Sequence, residues 1–247
     1  MLFSIARKYN NIERCIMRSD LKFNFFMTIL GLSALILTVV TCVSVFSEAD
    51  GDPVTDNLAY TIVIDAGHGG IDGGVIGTKS GVKESDLNLK VARELYGLLK
   101  ENGFNVIMTR TDENGLYGDT SRGFKRRDML ARKEIINRAA PDLVVSIHMN
   151  FYSASYRRGA QVFFQKGSAA GKNFADAMQT ALNRRLDQNN LNLSGDFFIC
   201  RESSAPAIIV ECGFLSNPDD EKLLLTSAHR KKLATAILDG CVSFLFS

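Results

Sequence analysis

The chain has 247 residues, 46% of them hydrophobic and 23% charged, which suits one folded domain with an appendage and excludes a disordered chain. Its net charge is +2, but the first 47 residues hold five Lys/Arg against two Asp/Glu, leaving 24 basic and 25 acidic side chains in the remaining 200. That balance excludes a global field that would recruit nucleic acid, and the three cysteines past residue 47, with no CxxC pair, indicate buried thiols and no disulfide framework or cysteine zinc site.

The first element is a membrane segment. From Phe23 to Ser47 no charged residue occurs in 25 positions, and a helix of that length exceeds a bilayer core of ~30 Å. A signal-peptide core is typically ~7–15 residues, so an uncleaved single-pass anchor is favoured over cleavage near Val45-Phe46-Ser47. Arg7, Lys8, Arg14, Arg18 and Lys22 precede the span, which leaves residues 1–22 cytoplasmic and everything after Glu48 outside. Residues 48–57, rich in Asp, Gly, Pro and Asn, read as a linker, and the domain proper is expected over 58–247.

Beyond the linker, short apolar runs alternate with helical patterns. Strands are expected at 60–65, 104–109, 143–147, 160–165, near 197–200 and at 207–211. Helices are expected at 84–101, 125–138, 170–188, near 219–226 and at 228–246. Leu87, Val91, Leu95, Leu98 and Leu99 form one helical face, ended by Asn102-Gly103. The alternation predicts a single α/β domain with a largely parallel central sheet flanked by helices.

Such sheets bind ligands beyond the carboxyl ends of their strands. His68 follows "TIVID", His148 follows "LVVSI" and Glu211 follows "AIIV", so two of only three histidines stand at the same station. The third, His229 in "SAHRKK", reads as a surface residue at a helix start. Two imidazoles without a nearby cysteine suit zinc, which wants a third protein ligand and an open position. Glu84 opens the helix after the glycine-rich loop 67–81 and admits two readings, a ligand folded back toward His68 or an acid favoured by the helix dipole. Glu211, after four apolar residues, is a carboxylate in need of a partner.

"IVIDAGHGG", Glu84 in "ESDLNLKVARELYGLL", "MTR", "SIHMN" and "IIVECGFLSN" resemble, in order and spacing, the motifs of the zinc-dependent N-acetylmuramoyl-L-alanine amidases. With a short anchored N-terminus and no repeated wall-binding domains, the chain is most similar to the germination-specific, spore-cortex branch of that family. The resemblance implies one Zn²⁺ per chain held by His68, Glu84 and His148, with Glu211 as the catalytic carboxylate. It implies peptidoglycan as substrate, cut between N-acetylmuramic acid and L-alanine, and it leaves room for an accessory protein needed for activity. Two other readings are a zinc hydrolase of the same architecture, of metallo-carboxypeptidase type, and a catalytically idle wall-binding protein; the presence of Glu211 weighs against the second.

Around these residues, Asp65 is a candidate acceptor for a ligand imidazole's second N–H, or a plain turn aspartate. Asn150 and Arg132 are read as site-shaping or structural groups. Cys212 should point to the sheet face opposite Glu211. The chain departs from the family pattern at Met149 and at Phe151-Tyr152, an aromatic pair that reads as groove wall or partner surface. The long segment 110–128 ends in a basic cluster, Arg122, Lys125, Arg126 and Arg127, read as a solvated helix face, with contact to anionic peptide stems as the sharper alternative.

Overall fold

The computed structural model describes residues 60–247, so the expected cytoplasmic segment, anchor and linker at 1–57 lie outside the described residues. Among the described residues no helix is long and apolar enough to cross a membrane. In chain order the elements are β1 (Thr61–Ala66), α1 (Glu84–Glu101), β2 (Asn105–Met108), α2 (Phe124–Ala139), β3 (Leu143–Asn150) and β4 (Gln161–Gln165). They continue with α3 (Ala169–Leu186), β5 (Leu193–Gly195), α4 (Phe198–Glu202), β6 (Ala207–Phe214), α5 (Pro218–Leu224) and α6 (Ser227–Leu245).

The six strands form one sheet in the order β2-β1-β3-β6-β4-β5. β2, β1, β3 and β6 are parallel, β4 runs antiparallel to β6, and β5 is parallel to β4. The expected largely parallel sheet is therefore present, with two reversed strands at one edge. Between β1 and β3 the strand order changes direction, the point at which open α/β sheets leave a crevice beyond their carboxyl ends.

Side-chain alternation builds two cores. Ile62, Ile64, Leu143, Val145, Ile147, Ile208 and Val210 face α1, α3 and α6 and join the larger cluster with Leu87, Leu95, Phe174 and Ile237. Val63, Val144 and Ala207, one residue out of phase, face α2 and α4 and pack with Ile136, Ile199 and Cys200. Because strand side chains alternate, Asp65, His148 and Glu211 share this second face, and Cys212 is buried in the larger core on the other.

Two strands run three residues past their expected ends, β3 to Asn150 and β6 to Phe214, so His148 and Glu211 lie within them, and one element differs in kind. The segment near 197–200 is not a strand: Phe198–Glu202 forms the short helix α4, and the edge strand lies just before it at Leu193–Gly195. A short apolar run such as Phe197-Phe198-Ile199-Cys200 has no periodicity to distinguish the two. The helical turn buries Ile199 and Cys200 side by side, which a strand's alternation cannot do, and lets Arg201 pair with Asp196 and Glu202.

Candidate metal centre and active site

The site begins where β1 ends. The ladder runs one bond further, from the Gly67 N–H to the Ile147 carbonyl at 3.1 Å, and the chain then turns through His68 with a left-handed φ of 61°. A non-glycine residue there is strained, of the kind that persists where the surroundings over-determine it. Two buried arginines do so. Arg132 of α2 donates to the Ala66 carbonyl at 2.8 Å and to the His68 carbonyl at 2.6 Å, while Arg110 donates to the carbonyls of Ala66, Gly67 and Ser85.

Glu84 reaches the site because the glycine loop satisfies the first N–H groups of α1. The Glu84 N–H donates to the Val75 carbonyl at 2.9 Å and the Ser85 N–H to the Gly73 carbonyl at 3.1 Å, in place of a side-chain cap. The carboxylate itself reaches beyond its helix, with Asn88 of the same helix donating to Oε1 at 3.4 Å. Its Oε2 accepts from the Val75 N–H at 2.9 Å, and its Oε1 lies 2.8 Å from His148 Nδ1 and 3.3 Å from His68 Nε2. Of the two sequence readings of Glu84, the geometry supports a residue gathered with the histidines and not a helix-end acid. Burial alone would raise its pKa, but hydrogen bonds and charge from His148 and His68 hold it well below the ordinary carboxylate range.

Ligand atoms of His68, Glu84 and His148 all lie within 4.8 Å of one another. Two imidazoles and a carboxylate are a donor set for a metal ion with an open position, so the residues present fit one. Gly67 and Gly74 make room for it: a Cβ on Gly67 would sit 2.3 Å from the His148 ring, and one on Gly74 would sit 2.3 Å from Glu84 Oε2.

Glu211 stands across the parallel rung from His148, on the neighbouring strand. Immediately beyond, the register slips between His148 and Asn150, a bulge that ends regular pairing and re-aims the side chains at the strand tips. Glu211 Oε2 is one of three buried side-chain polar atoms without a hydrogen-bond partner among the described residues. Burial, only partly offset by His148, pushes this carboxyl up to about 7. A group so placed can take a proton and give it back near neutral pH.

Asp65 does not orient an imidazole. It is 1% exposed and accepts from the Thr109 and Ser146 hydroxyls, both at 2.7 Å, and from the equally buried Arg132 at 2.6 Å. Burial alone would raise Asp65, but Arg132 and the two hydroxyls bring it down to about 2. The orienting acid for His68 is Asp72, whose Oδ2 lies 3.0 Å from His68 Nδ1 and whose Oδ1 pairs with Lys125 at 3.3 Å. The sequence reading missed Asp72; the available signal was a carboxylate four residues past a histidine in the same loop. It also missed Arg110, which lies inside the quoted motif "MTR".

Arg132 is a structural clamp, held in turn by Asp128 at 2.6 Å. Asn150 caps its own turn, its Oδ1 accepting from the Phe151 N–H at 2.7 Å. The basic cluster divides: Arg127 is tied to Asp119 at 2.9 Å, while Lys125 reaches the rim of the site through Asp72. His229 sits half-buried in the first turn of α6, away from the metal-type cluster. A cavity of about 350 Å³ opens beside the two histidines, walled by Lys125, Met129, Phe197, Phe198 and Ile209.

The sequence pattern of the family described as N-acetylmuramoyl-L-alanine amidase matches residues 62–243. The chain is 32% identical over 197 residues to the germination-specific N-acetylmuramoyl-L-alanine amidase of Bacillus subtilis, covering 78% of this chain and 81% of that one. It also superposes on the CwlD amidase of Clostridioides difficile, solved in complex with the GerS lipoprotein, with a TM-score of 0.73 and 35% identity over 76% of this chain and 98% of that one. For the catalytic domain of CwlV, an N-acetylmuramoyl-L-alanine amidase from Bacillus (Paenibacillus) polymyxa, the TM-score is 0.68 at 28% identity, over 76% and 98% of the two chains.

Proposed function

The chain belongs to the N-acetylmuramoyl-L-alanine amidase family, and from that premise we propose that it hydrolyses the amide joining the lactyl group of N-acetylmuramic acid to the L-alanine of the peptidoglycan stem. The likeness to a germination-specific relative supports cortex peptidoglycan of a spore as the material cut. His68, Glu84 and His148 would hold one zinc ion per chain. A bound zinc supplies Lewis acidity, polarising the scissile carbonyl and lowering the pKa of the attacking water toward ~7.

The chain's own residues do the rest. Asp72 fixes the His68 ring through Nδ1, leaving Nε2 turned toward Glu84. Glu211 Oε2 accepts the proton of the attacking water and returns it to the amine nitrogen as the C–N bond breaks. The observation that carries this reading is the buried, unpartnered Glu211 Oε2 on the rung beside His148. The solved complex of the CwlD relative with a lipoprotein supports an accessory protein for this chain too. The apolar run 23–47 supports a membrane anchor with the catalytic domain outside.

Incubating the protein with peptidoglycan, with zinc or with a chelator, and reading the fragments by mass spectrometry tests the proposal. A new L-alanine amino group, formed only with metal, is expected. Release of a C-terminal amino acid would instead identify a carboxypeptidase, and intact peptidoglycan under both conditions an idle wall-binding protein.

A further inference from the structure

On the strand next to Glu211 lies a second groove, separate from the cavity beside the histidines. Gln161, the first residue of β4, is the antiparallel register partner of Glu211, so the two Cα atoms stand about 5 Å apart. Gln161 opens onto a cavity of about 400 Å³ lined by Tyr156, Arg157, Leu191 and Leu193, at the same end of the sheet.

Arg157 is the group in this groove that no function yet absorbs. Its guanidinium carbon lies 5.6 Å from the centroid of the Tyr152 ring and 5.8 Å from that of Phe214, which stiffens it and removes part of its water. Nη2 donates to Gln161 Oε1 at 3.1 Å, and Gln161 is oriented by its own bond to the Leu191 carbonyl at 2.8 Å. No carboxylate of the described residues pairs with Arg157, and its remaining guanidinium donors have no protein acceptor there. Lys125, beside the histidines, is already paired with Asp72. A planar, always-charged fork near two rings with its remaining donors free suits a carboxylate in bidentate contact.

The substrate can supply that carboxylate. With the scissile nitrogen at Glu211, an extended peptide advances ~3.5 Å per residue, so a carboxylate on the second residue of the stem lies ~7 Å along. One residue links the two ends of that reach: Gln161 is the register partner of Glu211 and the hydrogen-bond acceptor of Arg157. The outer part of the chain is nearly neutral, so selection of an anionic stem must be local.

We propose that Arg157, positioned by Gln161 and stacked on Tyr152 and Phe214, is a specificity-determining residue that binds the carboxylate of the second residue of the stem peptide. The inference rests on the amidase reading.

It is tested with the full chain, loaded with zinc, on two synthetic muramoyl tripeptides that carry a free carboxylate or a carboxamide at the second residue. Wild type should cleave the carboxylate form with kcat/KM at least ~10-fold higher, the range expected for a charge-assisted bidentate contact, mostly through KM. Arg157→Gln should bring the ratio to within about twofold of one, and Arg157→Lys, a point charge without the fork, to an intermediate value. A wild-type ratio near one, or an Arg157→Gln protein that loses activity equally on both substrates and keeps the ratio, overturns the assignment while leaving the amidase reading intact. Should Arg157→Gln fail to fold, the wild-type ratio and Arg157→Lys decide by the same criterion. Cleavage of neither substrate by wild type would overturn the amidase reading itself.

Discussion

Individual side chains set the geometry through what they leave room for and what they neutralise. Gly67 has no positive φ to explain it; its reason is the His148 ring, 2.3 Å from where a Cβ would be. Gly67→Ala should therefore displace that imidazole and lower zinc content several-fold by metal analysis while the circular dichroism spectrum stays that of the parent. Full zinc occupancy in a folded Gly67→Ala protein would contradict the packing argument. Asp65 gives a second case. Its folded pKa of about 2 lies below the ordinary value of 3.8, so the unfolded chain binds the proton more readily. The stabilisation is present above pH ~4 and is lost as pH falls from ~4 through ~2, a change on the order of 2 kcal/mol. In urea titrations Asp65→Asn should lack this acid limb, although it will be less stable at neutral pH because Arg132 is left buried without its partner. An identical acid slope in both proteins would remove Asp65 as its source. At this scale the positions of His68, His148 and Glu211 stood out because each follows an apolar strand-like run, although β3 and β6 continue past His148 and Glu211 to Asn150 and Phe214. Asp65 was left between an imidazole acceptor and a plain turn aspartate, and neither reading named its actual partners, because Ser146 across the sheet and Arg132 from α2 become adjacent to it only after folding.

Among the elements, long periodic ones were legible and short ones were not. The expected 84–101 helix coincides with α1, since a heptad-like apolar stripe and the Asn102-Gly103 stop both mark it. The exchange of strand and helix between 193 and 202 came from a run too short to carry a period. Nothing in the sequence announced the strap between the glycine loop and α5. There, buried Glu221 accepts from the Lys79 N–H at 3.0 Å, from the Ser80 N–H and hydroxyl, both at 2.6 Å, and from the Thr78 hydroxyl at 3.3 Å. This strap borders the turn whose carbonyl at Val75 receives the first N–H of α1 and so positions Glu84. Glu221→Ala should leave those donors unsatisfied, cost ~1–3 kcal/mol, and speed hydrogen exchange at Lys79 and Ser80 far more than in β1. Unchanged exchange at those amides would show that the loop holds itself.

The molecule as a whole joins an α/β catalytic domain to an N-terminal apolar run. If residues 23–47 anchor it, the full chain should stay with membranes after a high-salt wash, with an N-terminal reporter inside the cell and the domain open to external protease. A soluble chain beginning near Glu48 would show cleavage instead. The three cysteines of the described residues are all free and buried, as the odd, unpaired count suggested, and burial raises each thiol's pKa.

The central claim is that four residues from four separate segments divide the work, three gathering a metal and Glu211 moving the proton. Measuring zinc content and peptidoglycan turnover together on Glu211→Gln and His148→Ala tests it most directly. Glu211→Gln should keep about one zinc per chain and lose at least ~100-fold in turnover, the low end for general acid–base assistance, while His148→Ala should lose both. A Glu211→Gln protein that keeps more than about a tenth of parental turnover, or a His148→Ala protein with full zinc, would contradict the account.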